Sequence, residues 1–415
     1  MKSRVVTSIR LAIESLLDRL RENSLFRSIS RRYGRRYWQL PRLLRRRLYF
    51  EASASSLPGA RTWKFGRGEM VEAAAGIAKI DTPLDEQRMV ARPFKTRPPA
   101  VTRLDEAWLV GKYAAPITPR GRLILSAFRD EPGILGLETH PDIEAWLLTP
   151  DAAKAELPEL EHVWPMVNRL QGNYYHWLIE WCGRLEQIEA YGAQVGNLPR
   201  LLIPEKGPDY IRASLKLLGF APETWIPWSE SSAPRKIHGL VLPSFRGSSL
   251  GASPASLQWL RRRFLGAAGS KAAEPHRKIY IPRGQGGWRC VLNDEEVSAW
   301  FLSEGYEVWQ PHLFPLAEQI RRFSEASLIV GLHGAALTNI LFAPGARLIE
   351  LLGDYGDGVY FNMAERMRQP YEALFCKSVG DDVVVDLEAL KLSVGRQARQ
   401  GARSQRNLEH ASYGT

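Results

Sequence analysis

A chain of 415 residues, 45% of them hydrophobic, has the length and the apolar content for two packed domains. Its formal charge of +11 sits in residues 1–50, which hold 14 Lys/Arg against 3 Asp/Glu; the rest balances 42 against 42. Overall charge therefore argues against nucleic-acid binding by the body. The three distant cysteines, Cys182, Cys290 and Cys376, argue against a disulfide framework or a cysteine metal site.

Taken in chain order, Val5, Ile9, Ala12, Ile13, Leu16, Leu17 and Leu20 recur at helical spacing, with Arg4, Arg10, Glu14, Asp18 and Arg21 mostly off that stripe. Arg31-Arg32, Arg35-Arg36 and Arg45-Arg46-Arg47 follow, interleaved with Tyr33, Tyr37, Trp38, Leu43, Leu44, Tyr49 and Phe50. Arginine mixed with aromatic and leucine side chains suits an anionic membrane surface, where each basic group contributes about 1 kcal/mol. The same composition also suits a nucleic-acid arm, a disordered tail or a helix packed on the body. Glu14 and Asp18 interrupt any secretory apolar region, and no run of about 18 uncharged apolar residues occurs. The expected location is cytoplasmic, peripheral at the inner face of the cell membrane.

Residues 51–95 show no clear period. From about residue 120, short apolar runs alternate with helical patterns. The expected strands are Arg122–Ser126, Glu144–Leu148, Leu201–Pro204, Ile237–Leu242, Lys278–Arg283, Tyr306–Gln310, Leu328–Gly331 and Arg347–Leu352. The expected helices are Tyr174–Tyr191, Pro208–Leu218, Pro254–Leu265, Asp294–Ser303, Pro315–Ser324 and Val359–Met367. Such alternation predicts an α/β protein with parallel sheets in two doubly wound halves. The stretch Trp228 to Pro234 is the expected boundary. It gives a basic segment 1–50, an N-terminal domain 51–232, a C-terminal domain 233–392 and a tail 393–415.

Three constellations carry chemistry. In Asn173 to Leu185, His176 and Glu180 lie four apart on one helical face, with Arg184 one turn on. A carboxylate beside an imidazole fixes the ring tautomer and raises its basicity, which makes an acid/base pair; the same spacing also describes an ordinary surface pair. In Lys278 to Val297 a strand runs into Arg283, the glycines 284, 286 and 287, and Arg289. A helix start follows, with Asn293 as N-cap and Asp294, Glu295 and Glu296 in the first turn. Two guanidinium forks flanking a loop that lets backbone approach a ligand make a diphosphate cradle, although neither phosphate-loop fingerprint is present. In Ser327 to Leu352 a buried strand ends at His333-Gly334, followed by Thr338 and Asn339. Polar groups thus gather at the carboxyl edge of a parallel sheet, where α/β folds bind ligands. No Asp-x-Asp sequence occurs, so arginines rather than a divalent ion would neutralise a diphosphate.

Together these blocks resemble glycosyltransferase family 61. The matching positions are Asn173, His176, Trp177 and Glu180; then Arg283, Arg289, Asn293 and Glu295; then Glu318-Gln319-Ile320, His333-Gly334-Ala335, Leu337-Thr338-Asn339, Phe342, Pro344 and Glu350. The chain departs from the family pattern at Cys182-Gly183, where a Leu-Pro pair is common, and in the sparsely basic loop 284–288. The resemblance implies a GT-B-like fold, two Rossmann-like domains facing across a cleft. It also implies an inverting, metal-independent transferase without a cofactor. Its partners would be a nucleotide-sugar donor and a glycan or lipid-linked glycan acceptor, in capsule, exopolysaccharide or O-antigen synthesis. Glu180, or the His176–Glu180 pair, would be the base. Arg283, Arg289, His333, Gly334, Thr338, Asn339 and Glu350 would form the donor side. The rival expectations are a nucleotide-sugar or phosphate-ester hydrolase using His333, and a non-catalytic scaffold led by residues 1–50.

Overall fold

A computed structural model describes residues 51–52, 54–71 and 94–119, isolated positions up to 149, and 151–395 apart from 168–169, 230, 248–251, 271–273, 285–288 and 355–357. The expected membrane-surface segment 1–50, the loop glycines 286 and 287 and residues 396–415 lie outside the described residues.

Two sheets organise the chain. Among the described residues nine strands form the first, a mixed sheet. Its parallel part holds Glu159–Pro165, Arg200–Pro204 and Trp225–Trp228, and Arg235–Pro243 extends it. The eleven-residue strand Ala100–Val110 then runs antiparallel to Arg235–Pro243 and carries Arg61–Lys64 and Ala115–Ile117 on its other edge. The strand that follows Trp228 to Pro234 thus returns to the first sheet, and the second sheet begins only at Arg277. Trp146, expected in a strand, is helical and packs on Trp108 with ring centroids 5.4 Å apart.

The second sheet is wholly parallel: Glu307–Val308, Arg277–Ile281, Ala326–Leu332, Arg347–Leu352, Tyr371–Phe375, in that spatial order. Numbered along the chain this is 2-1-3-4-5, the flavodoxin-like doubly wound order. The side-chain period of two explains why both faces are covered. Ile279, Ile329 and Leu348 enter one core, while Tyr280, Val330 and Ile349 enter another with Phe301 and Leu390. The first of these cores also contains Trp164, Trp177, Tyr191 and Phe264, so the elements of the two sheets share one apolar interior.

The helices Asp294–Ser303 and Leu316–Ser324 link successive strands of the second sheet. The next connection, Ala335–Phe342, is a 3-10 helix. Its carbonyl end is held by Arg261 from the helix Pro254–Ala267, whose Nε donates to Leu341 O at 2.7 Å. Burial lowers the Arg261 pKa to about 10.

Candidate active site

The expected helix Tyr174–Tyr191 is not one regular α-helix. His176–Trp181 forms a π-turn, Cys182–Arg184 a 3-10 turn, and a regular helix follows at Leu185–Val195, ending at Gly196 in the left-handed region (φ 85°). Asn173 starts the segment, its Oδ1 accepting from the amides of Tyr175 at 3.0 Å and His176 at 3.3 Å. π-turns widen a helix locally and recur at functional sites. Here His176 Nδ1 lies 2.8 Å from Glu180 Oε2, so the expected pair forms. Glu180 is only 6% exposed.

Glu180 lines a cavity of about 20 Å³ with Tyr175, Ile179, Arg184, Arg246 and Ser253. That volume suits one water or one hydroxyl. Arg184 is buried between the rings of Trp181 and Phe245, 4.6 and 5.0 Å from their centroids. Arg246 pairs with Glu69 and Glu186, each at 3.0 Å. Burial outweighs the Arg246 charge and raises the Glu186 pKa.

On the second sheet, the switch point between strands 1 and 3 falls at the ends of Arg277–Ile281 and Ala326–Leu332. In doubly wound sheets this is where the ligand crevice opens. Arg283 leaves the first strand and donates from Nη1 to His333 O at 3.0 Å. His333 leaves the second. Burial, then the charge of Arg289, lowers the Arg283 pKa. An anion bound here would offset both effects. The loop base is closed by Val291 N donating to Arg283 O at 2.8 Å, and Arg289 itself takes a positive φ of 64°. Gly334 gives Arg283 its place: a Cβ there would meet Arg283 Nη1 at 2.0 Å.

The other expected donor residues sit deeper. Glu350 is fully buried; its Oε1 lies 2.5 Å from His333 Nδ1 and its Oε2 accepts from Tyr371 OH at 2.6 Å. Thr338 is fully buried, and Asn339 is 1% exposed. The Asn339 amide bonds within the protein: Oδ1 accepts from Tyr174 OH at 2.9 Å, and Nδ2 donates to Ala336 O at 3.0 Å. Asn339 therefore bolts the His333 block to the His176 segment. Gln319 stands 3.4 Å from the same Nδ2, which gives Gln319 of the Glu318-Gln319-Ile320 run a structural place. Asn293 differs from expectation too. Its side chain makes no N-cap bond; it accepts from Val385 N and donates to Val385 O, both at 2.9 Å, tying the helix start to the chain after the last hairpin.

Sequence reasoning missed Tyr360, Tyr371, Arg246 and Glu69. The Tyr360 ring stands edge-on to His333 at 5.4 Å and to Tyr175 at 6.0 Å, an aromatic bridge between the two halves of the site. No local spacing announces such a residue, because its partners lie in other elements. Among the described residues no group of three or more His, Cys, Asp or Glu could hold a metal ion, and no helix is long and apolar enough to cross a membrane.

Residues 174–349 match the family model described as Glycosyltransferase 61. No curated protein matches the chain. The matched span takes in the His176–Glu180 pair, both arginines and the His333 turn, and ends one residue before Glu350.

Proposed function

We propose that this chain, whose residues 174–349 match the family model described as Glycosyltransferase 61, is a glycosyltransferase that moves a sugar from a nucleotide-sugar donor to a glycan or lipid-linked glycan acceptor in surface-polysaccharide assembly, with inversion and without a metal. The observation that carries this is the Arg283–His333 contact at the switch point of the parallel sheet, joined through Tyr360 and Tyr175 to the His176–Glu180 pair. The fold is taken as GT-B-like, with the donor on the second sheet and the acceptor on the side of the first.

In this reaction Glu180 takes the proton of the acceptor hydroxyl, with His176 holding its carboxylate in place. The acceptor oxygen bonds to the anomeric carbon as the bond from that carbon to the diphosphate breaks on the opposite face. The electron pair leaves with the nucleoside diphosphate, whose charge Arg283 and Arg289 neutralise. His333, held by Glu350, sets the edge of the same site. Residues 1–50 would bring the enzyme to the inner face of the cell membrane, where lipid-linked acceptors lie.

Hydrolysis of the donor is the second reading, because the cavity beside Glu180 suits a single water. The test is transfer in the presence of EDTA, with wild type and Glu180→Gln compared. The expected result is acceptor-dependent product from wild type only, with the melting shift produced by a nucleoside diphosphate intact in both. Sugar release that needs no acceptor favours the hydrolase. Loss of the melting shift in Glu180→Gln overturns the assignment of the base.

A further inference from the structure

Residues 61–71 and 94–103 run antiparallel as one two-stranded ribbon. Arg61–Lys64 pairs with Ala100–Arg103, Phe65 N donates to Pro99 O at 2.8 Å, Thr96 N donates to Glu69 O at 2.8 Å, and Met70 stands opposite Lys95. The ribbon carries six basic residues and one acidic residue. Arg103 pairs with Asp105 at 3.7 Å. Arg61, Lys64, Arg67, Lys95 and Arg97 are exposed, and none has a carboxylate partner among the described residues. Elsewhere on the body, Arg246, Arg263, Arg277, Arg322 and Arg347 are each in an ion pair; exposed cations with no carboxylate partner among the described residues, such as Lys206, Lys216, Arg321 and Lys377, are spread over separate segments instead of gathered on one ribbon. The one ribbon carboxylate, Glu69, is turned away from these cations to Arg246, Ser253 and the amide of Ala255.

We propose that this ribbon is a docking surface for an anionic phospholipid bilayer. Unpaired cations gain most where a surface supplies the missing negative charge, and Met70, 61% exposed, adds an apolar tip to enter the interface. Charge on an edge strand also guards against strand addition, which accounts for Arg61 and Lys64. Arg67 and Arg97 lie in the irregular stretch beyond the Arg61–Lys64 ladder, where no such ladder is open. Glu69 ties the ribbon to Arg246 and Ser253, which line the cavity beside Glu180. A docked ribbon therefore sets that cavity near the lipid surface. This last step alone rests on the transferase reading; the docking does not.

The test is flotation of the full-length chain with phosphatidylcholine vesicles, with and without phosphatidylglycerol. The ribbon variant carries Arg61→Gln, Lys64→Gln, Arg67→Gln, Lys95→Gln and Arg97→Gln. A control carries Gln at five exposed cations elsewhere, Arg200, Lys206, Lys216, Arg321 and Lys377. The expected result is a partition onto anionic vesicles at least about a hundredfold weaker for the ribbon variant, and only a few-fold weaker for the control. Equal loss in both variants, or no loss in the first, overturns the proposal. So does wild-type binding that ignores phosphatidylglycerol. Melting temperature and transfer to a soluble acceptor are read in parallel. Absence of transfer from every protein fails the transferase reading and leaves the vesicle result standing.

Discussion

Tyr371 donates its hydroxyl to one oxygen of Glu350 while the other oxygen of Glu350 faces His333 Nδ1. Burial, then the charge of Glu350, pushes the Tyr371 pKa far up, so the phenol stays a donor at any working pH. A carboxylate held in this way fixes the tautomer and plane of the imidazole it meets. Strands 3, 4 and 5 of the parallel sheet thus each supply one member of a chain that ends at the switch point.

The expected effect of Tyr371→Phe follows from that chain. Turnover falls by about 10- to 100-fold with donor KM little changed, because the residue acts through His333 and not on the donor. Unfolding free energy falls by about 1–3 kcal/mol, since an oxygen of a buried carboxylate loses its donor. Steady-state kinetics beside urea unfolding decide the matter: a purely structural role lowers stability and leaves turnover unmoved, whereas a positioning role lowers turnover in protein that is still fully folded.

Gly334 bears on the anion site by volume alone. Its φ of 171° is extended backbone that any residue adopts, so alanine fits the chain but not Arg283. Gly334→Ala is expected to weaken nucleoside diphosphate binding at least tenfold, about 1.4 kcal/mol, with little loss of fold. On an Arg283→Ala background the same change should cost nothing further. Calorimetric titration of the four proteins in this cycle reads the coupling; additive losses would mean that Gly334 acts by another route.

Four of the five strands of the second sheet were legible, the three central ones because each is a short apolar run largely buried on both faces, whereas the edge strand Tyr371–Phe375, half-buried and interrupted by Glu372, was not expected. Arg347–Leu352 and the helix Asp294–Ser303 agree with expectation residue for residue. The strand Ala100–Val110 was not legible. Arg103, Asp105 and Glu106 break its pattern, and its main partner lies at Arg235–Pro243, far along the chain. Glu159–Pro165 hides in the same way behind Glu159 and Glu161. The site divides likewise. His176 and Glu180 are near in sequence, so their meeting followed from spacing even though the turn between them is π rather than α. The roles of Asn339 and Glu350 depended on Tyr174 and Tyr371, which only the tertiary structure brings to them.

Tyr174 and Asn339 join two sequence blocks through one hydrogen bond. Burial raises the Tyr174 pKa well above its usual value, so it remains a donor. Tyr174→Phe leaves the Asn339 oxygen without this donor and should cost about 1 kcal/mol in urea unfolding. Asn339→Ala removes both ends of the amide network and should cost more, about 2–3 kcal/mol, with loss of transfer. Equal stability of wild type and both variants would show that the bolt carries no load.

Glu365, on the helix Val359–Arg366 that also carries Tyr360, has its pKa raised from 4.5 by burial. Between 4.5 and the raised value the folded protein holds a proton that the unfolded chain has released. Stability contributed by this group therefore falls as pH rises through that interval, and the full penalty stands above it. Glu365→Gln keeps the size and removes the charge. The expected result is a small gain, within about 0.5 kcal/mol because the side chain is partly exposed. It should appear in urea unfolding near pH 8 and vanish near pH 4. A gain that persists at low pH would assign the effect to packing, and a loss at high pH would mean that the carboxylate has a stabilising partner.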